Sequence, residues 1–118
     1  MIELDLPYPP SVNRYWRHNR GRTHLSKEGR DYQKHVSTAR ARGGIETISG
    51  PVEVTINVNP PDRRRRDVDN LLKGIGDGLQ KGGVLVDDSQ IKKLTIEMHE
   101  PVRGGRCHVS IVPRTQAA

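Results

Sequence analysis

A small α/β domain of the α+β kind, with one mixed sheet and helices packed against it, is what this 118-residue sequence predicts. Three observations predict it. Ile2, Leu4 and Leu6, then Val52, Val54, Ile56 and Val58, then Leu94, Ile96 and Met98 alternate with polar residues, the period-two mark of half-buried strands. Two stretches between these runs read as helices. No internal repeat and no linker divides the chain, so residues 1–118 form a single domain. The expected sheet has about four to five strands and is served by two main helices.

The elements follow in order. The first strand, Ile2 to Leu6, is stopped by Pro7, Pro9 and Pro10, which stiffen the exit. From Ser11 to Thr23 the chain is polar, basic and turn-rich, and reads as a long loop. Ser26 caps a helix running to Ala41, and Gly43-Gly44 ends it. The second strand, Val52 to Val58, terminates at Pro60-Pro61. A helix from Val68 to Lys81 places Val68, Leu71, Leu72, Ile75 and Leu79 on one side and Asp69, Lys73 and Asp77 on the other. Gly74, Gly76 and Gly78 oppose that helix, each costing about 1 kcal/mol relative to alanine. Tertiary packing must hold it, or the glycines must admit a neighbouring backbone. After Gly82-Gly83, Val84-Leu85-Val86 reads as a short buried strand ending at Asp87-Asp88. Leu94 to Met98 forms another strand, Gly104-Gly105 a turn, and Val109 to Pro113 a last strand placed at an edge by its proline. Gln116-Ala117-Ala118 reads as a frayed tail.

The core is thin: 32% of residues are apolar and phenylalanine is absent, so a subunit interface would add burial. Net charge is +6, and the basic residues are unevenly spread. No acidic residue lies between Leu6 and Lys27, where Arg14, Arg17, His18, Arg20, Arg22 and His24 accumulate. Such a surface suits phosphate oxygens and base edges. The lone Cys107 excludes an intrachain disulfide and fits a reducing cytoplasm. The acidic start, Met1-Ile2-Glu3-Leu4-Asp5, is unlike a signal peptide, and no apolar run approaches the roughly 20 residues of a membrane span. The expected protein is soluble and cytoplasmic. The five histidines show no zinc-ligand spacing, and the glycine triplet lacks the strand–turn context and following Lys-Ser/Thr of a nucleotide loop.

The chemistry concentrates in Pro61-Asp62-Arg63-Arg64-Arg65-Arg66-Asp67-Val68-Asp69-Asn70. Four adjacent arginines repel one another, a cost that a bound polyanion offsets. Asp67 and Asp69 sit inside that field, where phosphate contact alone would disfavour them. Mg²⁺ supplies a reason: it takes oxygens from one or two carboxylates and completes its shell with water and substrate phosphate. In extended backbone, residues two apart face the same side, so both carboxylates could meet one ion. Asp69 also precedes Lys73 by one helical turn. A dipole-favouring carboxylate and an i,i+4 ion pair would account for these two alone, but not for Asp67 or the arginines. Asp87-Asp88 follows one helix-length later; one of the two caps the turn with Ser89, and the residues alone leave open which. Asn13-Arg14-Tyr15-Trp16-Arg17 mixes cations with aromatics, the composition that grips a backbone and stacks bases, although either ring also suits a small aromatic mini-core.

Three segments, Pro9 to His24, Pro61 to Asn70 and Val86-Asp87-Asp88-Ser89-Gln90, resemble in order the RusA family of Holliday-junction resolvases, often carried by prophages. The resemblance covers nearly the whole chain, and its arginine–aspartate motif is highly specific. It implies a small mixed α/β domain acting as a homodimer that nicks four-way DNA junctions in pairs with Mg²⁺, in recombination and repair. By position it implies that Asp67, Asp69 and Asp88 bind the metal and that Lys73 is the essential lysine. Ser11, Asn13 and Arg14, with Arg63, Arg64, Arg65, Arg66 and Asn70, would contact DNA. The chain departs from the family's usual pattern in its glycine-rich helix. The expected mechanism is metal-assisted phosphodiester hydrolysis, with one or two Mg²⁺ activating water and Lys73 offsetting transition-state charge. No membrane and no nucleotide cofactor is expected. The rival class is a non-catalytic nucleic-acid-binding adaptor, which would share the basic patches without needing three carboxylates and a lysine.

Overall fold

Alternation decides the sheet. The computed structural model describes residues 1–114, and its strands β1 (Ile2–Leu6), β4 (Val52–Asn59), β5 (Ile91–Met98) and β6 (Arg106–Pro113) form one sheet in the order β1-β6-β4-β5. β1 and β4 both run antiparallel to β6, and β4 is parallel to β5. One face gathers Leu4, Leu6, Cys107, Val109, Ile111, Val52, Val54, Ile56 and Val58, all buried. The register sets Leu4 and Ile56 on either side of Val109, so apolar side chains share that face across three strands. The other face carries Glu3, Asp5, Thr55, Asn57, His108 and Ser110. Helices α2 (Lys27–Arg42) and α3 (Asp69–Lys81) cover the apolar side, burying Tyr32, Val36, Leu71, Ile75 and Leu79.

Parallel strands require a crossover. Here it is the segment from β4 through α3 to β5, which contains the arginine run and all the aspartates of interest. As expected, Ser26 caps α2: its Oγ accepts from Gly29 N–H at 3.0 Å. The glycines of α3 mark close approaches. A Cβ on Gly74 would stand 3.1 Å from Tyr15 Cδ2 and 3.3 Å from the Pro10 carbonyl oxygen. The missing side chains let other elements lie against this helix, which answers the sequence's apparent conflict.

Three expectations change. The stretch from Ser11 to Thr23 is ordered: α1 (Val12–Tyr15) leads into a hairpin of β2 (Trp16–Asn19) and β3 (Arg22–Leu25). Its two-residue turn places Arg20 and Gly21 both at positive φ, 50° and 74°, matching the twist of the flanking strands. The last strand is internal, paired on both sides, with β1 and β5 as edges. Pro113 is tolerated because it pairs with Val52 beyond Ile2↔Ile111, where β1 has already ended. Val84-Leu85-Val86 is not a strand. Val84 and Leu85 are buried, but both N–H groups bond to the Leu79 carbonyl, only the Ile48–Leu85 bridge forms, and Val86 is exposed. The terminal Gln116-Ala117-Ala118 lies outside the described residues.

Candidate active site

Arg66 organises the arginine loop from within. Its Nη1 reaches Asp62 Oδ1 at 2.8 Å and donates to the Asp62 and Arg64 carbonyls at 3.1 Å, while its guanidinium lies over the Tyr8 ring at 5.8 Å. The hydrogen bond from Arg66 holds the Asp62 carboxyl below the usual range, and the same bond raises Arg66. Arg63, Arg64 and Arg65 are exposed; Arg64 passes Asp62 at only 3.8 Å. Three arginines are therefore presented outward while the fourth fastens the loop.

This loop walls a cleft of about 590 Å³ lined by Ser11, Arg14, Arg64, Arg65, Arg66, Asp67 and Asn70. Most of the expected DNA-contacting residues thus converge from two distant segments. Glu28, Asp31 and His35, spaced to share one face of α2, line the same cleft. Sequence reasoning missed these three, although their spacing was a readable signal. Asn13 opens instead onto a second cleft with Trp16, Arg17, His18 and Asn19, and Arg63 lines neither.

Asp67 and Asp69 do not face one side. Val68 already has helical backbone, φ −58° and ψ −41°, so successive residues rotate about 100° each rather than alternating. Asp67 lines the arginine cleft, whereas Asp69 begins a stripe along α3 in which Asp69 and Lys73 are exposed and Gly76 and Gln80 half-buried.

Asp88 lies against this stripe. A Cβ on Gly76 would be 3.9 Å from Asp88 Oδ2, and Gln80 Oε1 accepts the Asp88 N–H at 3.1 Å. The adjoining pair divides its roles. Asp87 Oδ2 accepts from Ser89 N–H at 3.0 Å, completing a capping box with Gln90, and the Ser89 hydroxyl, then this N–H, lowers the Asp87 carboxyl. Gln90 fixes the turn from both ends of its amide. Its Oε1 accepts from Val86 and Asp87, and its Nε2 donates to the Ile48 and Gly50 carbonyls. The Asp88 carboxylate has no hydrogen-bond partner among the described residues.

Among the described residues no three carboxylate, histidine or cysteine side chains stand close enough to hold a metal ion. Spacing explains this for Asp69 and Asp88. The helical rise puts Asp69 roughly 10 Å along the axis from the level of Gly76, whereas oxygens sharing one Mg²⁺ lie at most about 4 Å apart. The donor chemistry nonetheless suits a hard cation. The Asp67, Asp69 and Asp88 carboxylates make no hydrogen bond or ion pair among the described residues. Asp69, Lys73 and Asp88 are exposed. Cys107, by contrast, is a core group whose thiol burial pushes up to about 12.

Behind the stripe, Asp77 Oδ2 accepts from the Tyr15 hydroxyl at 2.5 Å and from Gln33 Nε2 at 2.9 Å. Asp77 is thus turned toward α1 and α2, although the sequence stacked it with Asp69 and Lys73. No described helix is long and apolar enough to cross a membrane.

Comparison with known proteins places the chain in a family. The family model described as Endodeoxyribonuclease RusA matches residues 7–112. The protein named Crossover junction endodeoxyribonuclease RusA from Escherichia coli strain K12 is 42% identical over 109 residues, covering 92% of this chain and 91% of its own length. The counterparts from Shigella sonnei strain Ss046 and Enterobacteria phage 82 match with the same identity and coverage. With that match running from the proline exit of β1 to the end of β6, across both clefts and the α3 stripe, the chain belongs to the RusA family of endodeoxyribonucleases.

Proposed function

We propose that this protein is a Mg²⁺-dependent endonuclease that resolves four-way DNA junctions by paired nicks, acting in recombination and repair. The observation that carries this reading is the joining of a cationic cleft to unpaired carboxylates and a lysine by a single crossover. Arg14, Arg63, Arg64 and Arg65 hold strands by their phosphates, and Ser11, Asn13 and Asn70 add neutral hydrogen bonds. Asp67, Asp69 and Asp88 are the residues that would hold one or two Mg²⁺. When bound, the metal supplies charge against the scissile phosphate and lowers the pKa of attacking water. Lys73, exposed, stands between Asp69 and Gly76 on that stripe, where its ammonium offsets charge developing on the phosphate. An adaptor that only binds DNA has no use for these groups.

The working unit is a homodimer, which gives two equivalent sites for two equivalent strands. The free edge of β5 supports this. Leu94 on β5 is 41% exposed, and a second β5 laid antiparallel about Thr95 would set Leu94 against Ile96 and Lys93 against Glu97. A DNA-associated protein of the cytoplasm is the corresponding location. Asp69→Asn tests the chemistry: junction affinity in a gel shift should be kept or slightly raised while nicking with Mg²⁺ is lost. Lys73→Ala should lower kcat with little change in affinity. Undiminished nicking by Asp69→Asn would remove the metal-site reading.

A further inference from the structure

Tyr15 is the joint of three helices. Its side chain is wholly buried, and its ring lies against the bare backbone of Gly74 on α3. Its carbonyl accepts from Ser26 N–H at 3.0 Å and Ser26 Oγ at 2.8 Å at the start of α2. A Cβ on Gly29 would stand 2.6 Å from that carbonyl oxygen, so α2 too is drawn close. The hydroxyl donates to Asp77 Oδ2 on α3, and Gln33 Nε2 from α2 donates to both the Tyr15 hydroxyl and Asp77, at 3.0 and 2.9 Å. Tyr15 OH, Asp77 Oδ2 and Gln33 Nε2 thus form a closed triangle of contacts that ties all three helices together.

We infer that Asp77, Tyr15 and Gln33 form a positioning device that fixes the α1 turn against α3, and that Asp77 is not a metal ligand. The inference rests on the reading above, in which the Ser11–Arg14 turn holds DNA and Asp69 and Lys73 act on the phosphate. The turn ends at Tyr15, while Lys73 precedes Asp77 by one turn of α3. The triangle therefore sets the distance between where the strand is gripped and where it is cut. A misplacement of about 1 Å in such a relation costs on the order of a hundredfold in rate without requiring a loss of affinity. Burial, then the bond to Asp77, raises the Tyr15 hydroxyl, which stays a donor throughout the working pH range. Asp77 needs only an acceptor oxygen here, which an amide also offers. A metal ligand needs the charge.

The test compares Tyr15→Phe, Asp77→Ala, Asp77→Asn and the double variant Tyr15→Phe/Asp77→Ala. Each is measured for junction affinity without Mg²⁺, for single-turnover cleavage with it, and for emission of Trp16. That residue is the chain's single tryptophan, and its ring centroid lies 5.1 Å from that of Tyr15. Tyr15→Phe and Asp77→Ala should each lower the cleavage rate at least tenfold with affinity held within about threefold, and the double variant should be no slower than the worse single one. Asp77→Asn should cleave within about threefold of wild type. Trp16 emission should shift in Asp77→Ala and not in Asp77→Asn, with no DNA present. Asp77→Asn as inactive as Asp69→Asn would overturn the inference, as would wild-type cleavage by Tyr15→Phe. A shift of Trp16 emission with no cleavage by any form, wild type included, would uphold the linkage and discard the nuclease reading.

Discussion

Asp88 lies over Gly76, its Oδ2 3.9 Å from where a Cβ on that glycine would be. The distance is ordinary van der Waals contact, so one methyl fits, and a longer side chain there would compete with Asp88 for space. Gly76→Ala should keep cleavage and gain up to about 1 kcal/mol of stability from helix propensity. Gly76→Leu should push Asp88 aside, lowering cleavage by about tenfold or more with affinity preserved. Thermal melting and single-turnover nicking of the two variants decide this.

Asp87 and Asp88 should separate cleanly. Asp87→Asn weakens a cap, a role worth typically about 1 kcal/mol even when fully removed, and should leave cleavage within a few fold. Asp88→Asn should leave stability unchanged and abolish cleavage. The reverse ranking would assign the free carboxylate no chemical role.

The outward and inward arginines should also part. Arg65→Ala should weaken junction binding and make its salt dependence shallower by about one unit, with the melting temperature unchanged. Arg66→Ala should weaken binding too, but it also releases Asp62 and the loop carbonyls, so its melting temperature should fall. Melting curves beside salt titrations of affinity would show the split.

How much of this was legible follows from side-chain pattern. The four main strands announced themselves because one face is apolar and the other polar. The β2–β3 hairpin did not, since Arg17, His18, Asn19, Arg22, Thr23 and His24 are all exposed and give no alternation. Pro113 misled because a proline takes only its own N–H out of the ladder, and β1 stops short of it. The arginine–aspartate motif and the Asp69–Lys73 spacing were readable directly. The outward turn of Asp69 was not, because it depends on where Val68 enters the helix. Nor could spacing reveal that Asp77 faces Tyr15, a contact sixty-two residues away in sequence.

The outer sheet face carries a pH response. His108 Nδ1 is 3.0 Å from Asp5 Oδ1 and Nε2 is 3.4 Å from Glu3 Oε1. The Asp5 hydrogen bond, with help from Glu3, raises His108 above its usual 6.5. The contribution is complete below 6.5 and is lost as pH rises through the raised value. For such a half-exposed pair it amounts to at most about 1 kcal/mol. Wild type should lose melting temperature relative to His108→Gln as pH rises from below 6.5 through the raised value, a dependence absent from the variant. Parallel slopes for the two proteins would show that His108 does not contribute.

The central claim meets its most direct test in strand-resolved cleavage of a synthetic four-way junction beside a linear duplex of the same sequence, with Mg²⁺ or with chelator. Paired nicks at symmetric positions in two strands, only with Mg²⁺ and at least about a hundredfold faster on the junction, are the predicted result. Equal cutting of linear duplex, or nicks that persist in chelator, would contradict it.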